Sequence, residues 1–263
     1  MKFALGIEYE GTHFHGWQRQ QSLPTVQGLL ESALGKIANE PIEVYCAGRT
    51  DTGVHGLGQV VHFITHVARP LRAWTWGTNT HLPSSIVVRW AVPVDESFHA
   101  RFSAIARRYR YIIYNAPIRS ALLQQRVTHI PIPLNVKKMQ AGALHLLGEL
   151  DFSAFRSASC ESSTPMRAVK EIAIQRFGDY IITEIEANAF LHHMVRNIMG
   201  VLIQVGQERQ PPDWVKNILL GKDRRLAAET ASPSGLYLLK VLYPEAYVFP
   251  SDHAMFFPIV QSG

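Results

Sequence analysis

A chain of 263 residues is long enough to bury a core without staples, as one large domain or two modest ones. Hydrophobic residues at 47% against 18% charged argue against disorder, and 26 Lys and Arg against 21 Asp and Glu leave +5, a balance suited to a polyanion such as nucleic acid. Cys46 and Cys160 are far apart and form no CxxC, no leader-like segment precedes Phe3, and no run reaches the ~18 apolar residues of a membrane helix, so a disulfide framework, a structural zinc site and a membrane partner are not expected and the expected compartment is the reducing cytoplasm.

In chain order, residues 2–8 (KFALGIE) read as a buried strand, followed by a polar loop over 10–24 that carries Trp17 and Arg19. Val26, Leu29, Leu30, Ala33, Leu34 and Ile37 fall at helical spacing on one stripe, with Thr25 placed to cap the helix. Strands are predicted over 42–47, 59–64 and 86–94, and a helix over 71–81. A second half begins near Arg101. Its expected elements are a strand over 107–114, a helix over 136–147, and a hairpin of 169–177 and 180–187 turning at Gly178–Asp179. An apolar helix over 192–205, a shorter one after Pro212 and a strand over 235–242 complete the set. The expected fold is α+β: two similar mixed α/β halves with antiparallel sheets, residues 1–100 and 101–263, and a cleft between them.

The densest polar segment is Cys46–His55 (CAGRTDTGVH), between two predicted strands, with Gly48, Gly53, Gly56 and Gly58 punctuating the region. Arg49 and Asp51 sit two apart there. From the residues alone, Asp51 either caps an Asx-type turn or is aimed with Arg49 into a pocket. The stretch AGRTDTGVHGLGQVVHF resembles the catalytic motif of the tRNA pseudouridine synthase A (TruA) family, and the likeness continues collinearly. It takes in GWQRQ at 16–20, Asn79 with Leu82-Pro83, SFHARFS at 97–103, RRYRY at 107–111, Asp151-Phe152, Thr164-Pro165 with Arg167, NAFLHHMVRN at 188–197 and GLY at 235–237. One departure is Thr52, where the family usually has Ala; the stretch from Pro244 carries no usable motif.

The resemblance implies the pseudouridine synthase fold, a homodimer, and isomerisation of uridines 38, 39 and 40 in the anticodon stem and loop of tRNA bound in a positively charged cleft. It makes Asp51 the catalytic carboxylate. The reaction breaks a C1′–N1 bond, turns the uracil and rejoins it through C5, so no cofactor and no metal are called for. Asp51 attacks C1′, abstracts the C2′ proton or adds to C6, and the sequence does not separate the three routes. Arg196, on an otherwise apolar helix, needs an anion, and Asp51 is its expected partner; the alternative is an arginine snorkelling to solvent. The family's active-site tyrosine falls on Tyr109, whose ring is suited to stack on an extruded base, the alternative being a half-buried strand tyrosine.

Candidates for substrate contact are Tyr109, Arg49, Trp17, Arg19, His99, Arg101 and Arg110, with Arg107 and Arg108 as further phosphate candidates. Alternate residues of one strand cannot all face one ligand. The pairs His13/His15, His55/His62 and His192-His193 lack the i, i+4 spacing of a helical metal motif. Two other readings compete. A non-catalytic RNA-binding protein has no need of the Asp51, Tyr109 and Arg196 set, and a glycosidase or nucleosidase needs a second acid that the motif lacks.

Overall fold

The computed structural model describes residues 1–160 and 162–250. Its elements begin with β1 (Lys2–Tyr9), α1 (Val26–Ala38), β2 (Tyr45–Cys46), β3 (His55–Ile64), β4 (Ile86–Pro93), β5 (Ala106–Tyr114) and β6 (Thr128–His129). They continue with α2 (Val136–Leu144), β7 (Gly148–Asp151), β8 (Met166–Phe177), β9 (Tyr180–Ala187), α3 (Met194–Gly206), α4 (Trp214–Gly221) and β10 (Leu236–Leu242). Two compact units result, one of Met1–Ile105 together with the chain from Leu238 onward, the other of Ala106–Tyr237. The sequence reading kept everything after residue 100 in one half. From Leu238 onward the last strand instead counts with the first unit, where β10 pairs with β3 so closely that Leu239 O would lie 2.5 Å from a Cβ added at Gly58.

In the first unit the strands run β4-β1-β3-β10, with β2 on β3. β1 is antiparallel to both neighbours, pairing Phe3 with Phe63 on one side and with Pro93 on the other. Alternation along β1 sends Phe3, Leu5, Ile7 and Tyr9 into one buried cluster with Leu30 and Leu34 of α1, Val61 and Phe63 of β3, Trp17 and Trp74. Thr25 caps α1 as expected, accepting from Gly28 N at 3.3 Å. The helix predicted over 71–81 contains a wide π-helical turn, Ala73–Gly77, which buries Trp74 and leaves Trp76 exposed. The strand predicted over 42–47 shrinks to β2, whereas the one predicted over 59–64 starts earlier, at His55. Asp51 therefore sits in a tight connection between two paired strands. The chain beyond Pro244, to which the sequence suggested no role, brings Tyr247 and Phe249 onto Phe98, and Phe249 stacks on Trp90 at 5.1 Å. Residues 251–263 of that stretch lie outside the described residues.

In the second unit the order is β5-β9-β8-β7, all antiparallel, with short β6 parallel to β5. The β8–β9 hairpin turns at Gly178 (φ 56°) and Asp179, as read from the sequence. β6 and β7 were not foreseen, being two and four residues long with little apolar pattern. α3 is buried on nearly all sides and packs on α2, which also covers β8. The α+β class with antiparallel strands and packing helices is as expected. Among the described residues no helix is long and apolar enough to cross a membrane.

Candidate active site

Asp51 opens a four-residue turn: its carbonyl accepts from Val54 N at 3.1 Å, and Gly53 takes a φ of 78° that a side chain would resist. The residue is half-buried between buried Thr50 and exposed Thr52. Three contacts from elsewhere in the unit hold the turn. Trp17 N donates to Thr50 O at 3.0 Å, Gln59 Nε2 donates to Gly48 O at 2.6 Å, and Tyr9 and Thr50 share a hydroxyl hydrogen bond of 2.7 Å. Tyr9 reaches Thr50 by lying over Gly56, where an added Cβ would come within 2.4 Å of its ring. Just beyond the turn, buried His55 accepts from Gly11 N at its Nδ1, 3.0 Å away. The 10–24 loop, the end of β1 and Gln59 of β3 thus brace the backbone of the Asp51 turn.

Of the predicted substrate residues in this unit, Arg49 and Arg101 are exposed, and both guanidiniums act on one thiol, that of Cys46. Burial pushes that thiol up to about 12, and the two arginines oppose the shift. Arg19 is exposed and paired with Glu31 at 2.9 Å. His99 is half-buried in a ring cluster with His62, Tyr45 and Phe102, and burial, followed by Lys2 and Arg101, holds its imidazole below the ordinary range. Trp17 is a correction. Its indole is 1% exposed and packs on Tyr9 at 5.7 Å, so it braces the loop beneath Asp51 and has no free face to offer RNA.

In the second unit Tyr109 points to the buried side of β5, where Phe190 meets its ring edge-on at 5.0 Å. On the same side lie Arg107, which donates to Asn188 O, and Tyr111, whose hydroxyl bonds Thr128 and Ser232 O. Arg196 projects from α3, its Nε donating to Ala231 O at 2.9 Å, and its charge reaches the Tyr111 hydroxyl. Burial nevertheless pushes the Tyr111 phenol well above its usual range. Arg110 stands on the opposite side of β5 from Tyr109, directly across from Glu184, and donates to that carboxylate through Nε at 3.0 Å. Arg108 beside it pairs with Glu171 and Glu186 at 2.7 and 2.8 Å. The two guanidiniums are thus paired with carboxylates in a cross-strand ladder.

Sequence reasoning missed Tyr9, Gln59 and Phe190. Gln59 and Phe190 were within matched segments but had no role; nothing local marks Tyr9, because its function is contact with a loop 41 residues away.

The structure thus joins an acidic, glycine-bearing turn to an α+β chain of antiparallel strands. The family model described as tRNA pseudouridine synthase matches residues 6–103 and 143–244, which include the Asp51 turn and α3 but not Tyr109. The chain belongs to the tRNA pseudouridine synthase family, a family of isomerases. More particularly, it is 56% identical over 250 residues to a protein named tRNA pseudouridine synthase A from Actinobacillus succinogenes, covering 95% of each chain. It is 57% identical to the protein of that name from Actinobacillus pleuropneumoniae, again over 95% of each. The Haemophilus influenzae protein of that name is 56% identical, over 95% of this chain and 93% of its own. Among solved structures, a Cbf5–Nop10–Gar1 complex aligns with 90% of this chain and 48% of its own, at 11% identity and a TM-score of 0.36.

Proposed function

We propose that this chain isomerises uridine to pseudouridine at positions 38, 39 and 40 in the anticodon stem and loop of tRNA, with Asp51 as the catalytic carboxylate and no cofactor. The observation that carries the reading is the braced turn: Asp51 is held half-buried by Trp17, Tyr9 and Gln59 contacts on its own loop, more support than a turn cap requires. The names of the relatives supply the tRNA, and the net charge of +5 suits a polyanionic substrate.

The reaction exchanges a C1′–N1 bond for a C1′–C5 bond, moves a proton from C5 to solvent or a base, and leaves N1 protonated. Nothing is oxidised or reduced. Asp51 starts it by attack on C1′, by taking the C2′ proton, or by addition to C6; each route needs the carboxylate ionised and fixed. Tyr109 receives the extruded base, Arg196 supplies a fixed positive charge, and Arg49, two residues from Asp51, assists base extrusion or binds phosphate. The working form is a homodimer in the cytoplasm.

The test is pseudouridine formation in unmodified tRNA transcripts, without added metal, by the wild type and by Asp51→Asn. Modification confined to the anticodon arm by wild type, with a loss of at least a thousandfold in the variant at preserved fold and tRNA affinity, is the expected outcome. Wild-type protein that binds the transcript and isomerises nothing would return Asp51 to a turn residue of an RNA-binding protein.

A further inference from the structure

Phe102 is 76% exposed, yet the turn that carries it is among the most tightly tied in the first unit. His99 Nδ1 accepts from both Arg101 N (3.1 Å) and Phe102 N (3.3 Å). His99 N donates to Ser103 Oγ and Ser103 N returns to His99 O, both at 2.9 Å. On either side, Ala100 N donates to His62 Nδ1, Tyr243 donates to Ala100 O, and Lys2 Nζ donates to Phe98 O. A loop so constrained has little entropy left to lose on binding.

The ring is also the outermost of a series. Phe102 lies 4.3 Å from His99 at an interplanar angle of 33°, His99 lies 4.5 Å from His62, and His62 stacks on Tyr45 at 5.1 Å. The Arg101 guanidinium stands 5.5 Å from the Phe102 centroid. The charges acting on the two imidazoles are cationic: Lys2 and Arg101 on His99, Lys2 on His62. At the far edge Tyr45 feels two carboxylates, Glu43, which takes its hydroxyl, and Glu31. The charges of Arg101 and Arg49 both bear on the buried thiol of Cys46.

We propose that Phe102, backed by His99 and flanked by Arg101, is a stacking platform for an unpaired base of the RNA substrate. The assignment rests on the isomerase reading above for the identity of the RNA. An exposed aromatic plane accepts any base by its face, and an arginine beside it adds cation–π attraction and a phosphate contact. Cationic surroundings favour a phosphodiester chain over an apolar protein partner.

The experiment titrates unmodified tRNA transcript, and an anticodon-arm RNA carrying 2-aminopurine at single loop positions, with full-length wild type, Phe102→Leu, Phe102→Trp and Arg101→Gln. The Phe102→Leu protein should fold normally, since the ring is mostly exposed. It should bind tRNA about tenfold more weakly with an unchanged slope of log K against log salt, while Phe102→Trp restores affinity. Arg101→Gln should lower that slope by about one phosphate contact. Quenching of 2-aminopurine at one position by wild type should disappear in Phe102→Leu. Unchanged affinity and quenching in Phe102→Leu overturns the platform, and so does a loss of dimer mass at unchanged tRNA affinity, which would make the face a contact between two copies. Should wild type bind through Phe102 but form no pseudouridine, the platform stands and the isomerase reading falls. If both proteins bind and isomerise alike, the reverse holds.

Discussion

At the scale of single residues, the Asp51 turn is held by groups distant from it along the chain. Tyr9→Phe removes only the hydroxyl bonded to Thr50, leaving the ring over Gly56. The loss is about 1 kcal/mol of stability. The expected kinetic effect is a several-fold fall in kcat with KM nearly constant, because the turn loosens while the RNA-contacting surface is untouched. A rise in KM alone would assign Tyr9 to substrate binding instead. His62 gives a second prediction. It is buried, its Nδ1 accepts from Ala100 N, and burial, with His99 and Lys2 adding to it, pulls its pKa down to about 4. The unfolded chain takes up that proton near pH 6.5, so the folded protein is favoured by the neutral ring above pH 6.5 and loses that advantage as pH falls towards 4. The amount at stake is roughly 3 kcal/mol. Urea melts at pH 7 and 4.5 should show a steep acid loss in wild type and a shallower one in His62→Gln; equal losses would point to another group.

At the scale of elements, β5 shows how period two divides one basic run between two jobs. Tyr109 and Tyr111 go to the buried side, and Arg108 and Arg110 to the side where β9 presents Glu184 and Glu186. Arg110→Gln should therefore leave tRNA affinity and its salt dependence unchanged and cost about 1 kcal/mol of stability from the lost ion pair. Arg49→Gln should do the opposite, reducing the salt slope by about one contact with little effect on stability. Nitrocellulose binding at several salt concentrations separates the two, and a flattened slope in Arg110→Gln would restore it as an RNA contact. The same periodicity was legible beforehand in RRYRYII, but which side faced acidic strands was not, since Glu184 and Glu186 lie more than seventy residues away.

At the scale of the whole molecule, the remaining prediction is assembly. A homodimer should sediment near twice the 29.6 kDa of one chain at micromolar concentration, and a mass near one chain would refute it. Long periodic elements, α1, β1, the β8–β9 hairpin and α3, were legible because helix and strand periods are local properties of the chain. The Asp51 turn was legible for a similar reason: a glycine-punctuated polar segment between strands, with the residues CAGRTDTGVH in order, is a local statement. The burial of Trp17 and the pairing of Arg110 were not legible, because they are set by what packs against them, the Tyr9 ring in one case and Glu184 in the other. The return of β10 to the first unit, the cradle of Tyr9 and Gln59, and the bare ring of Phe102 on its tied turn were likewise beyond the sequence. By itself the sequence determined the α+β class, the family and the residues of the Asp51 turn. Tertiary structure alone decided which aromatic rings and arginines are buried or paired and which are exposed, because burial and charge pairing come from neighbours distant along the chain.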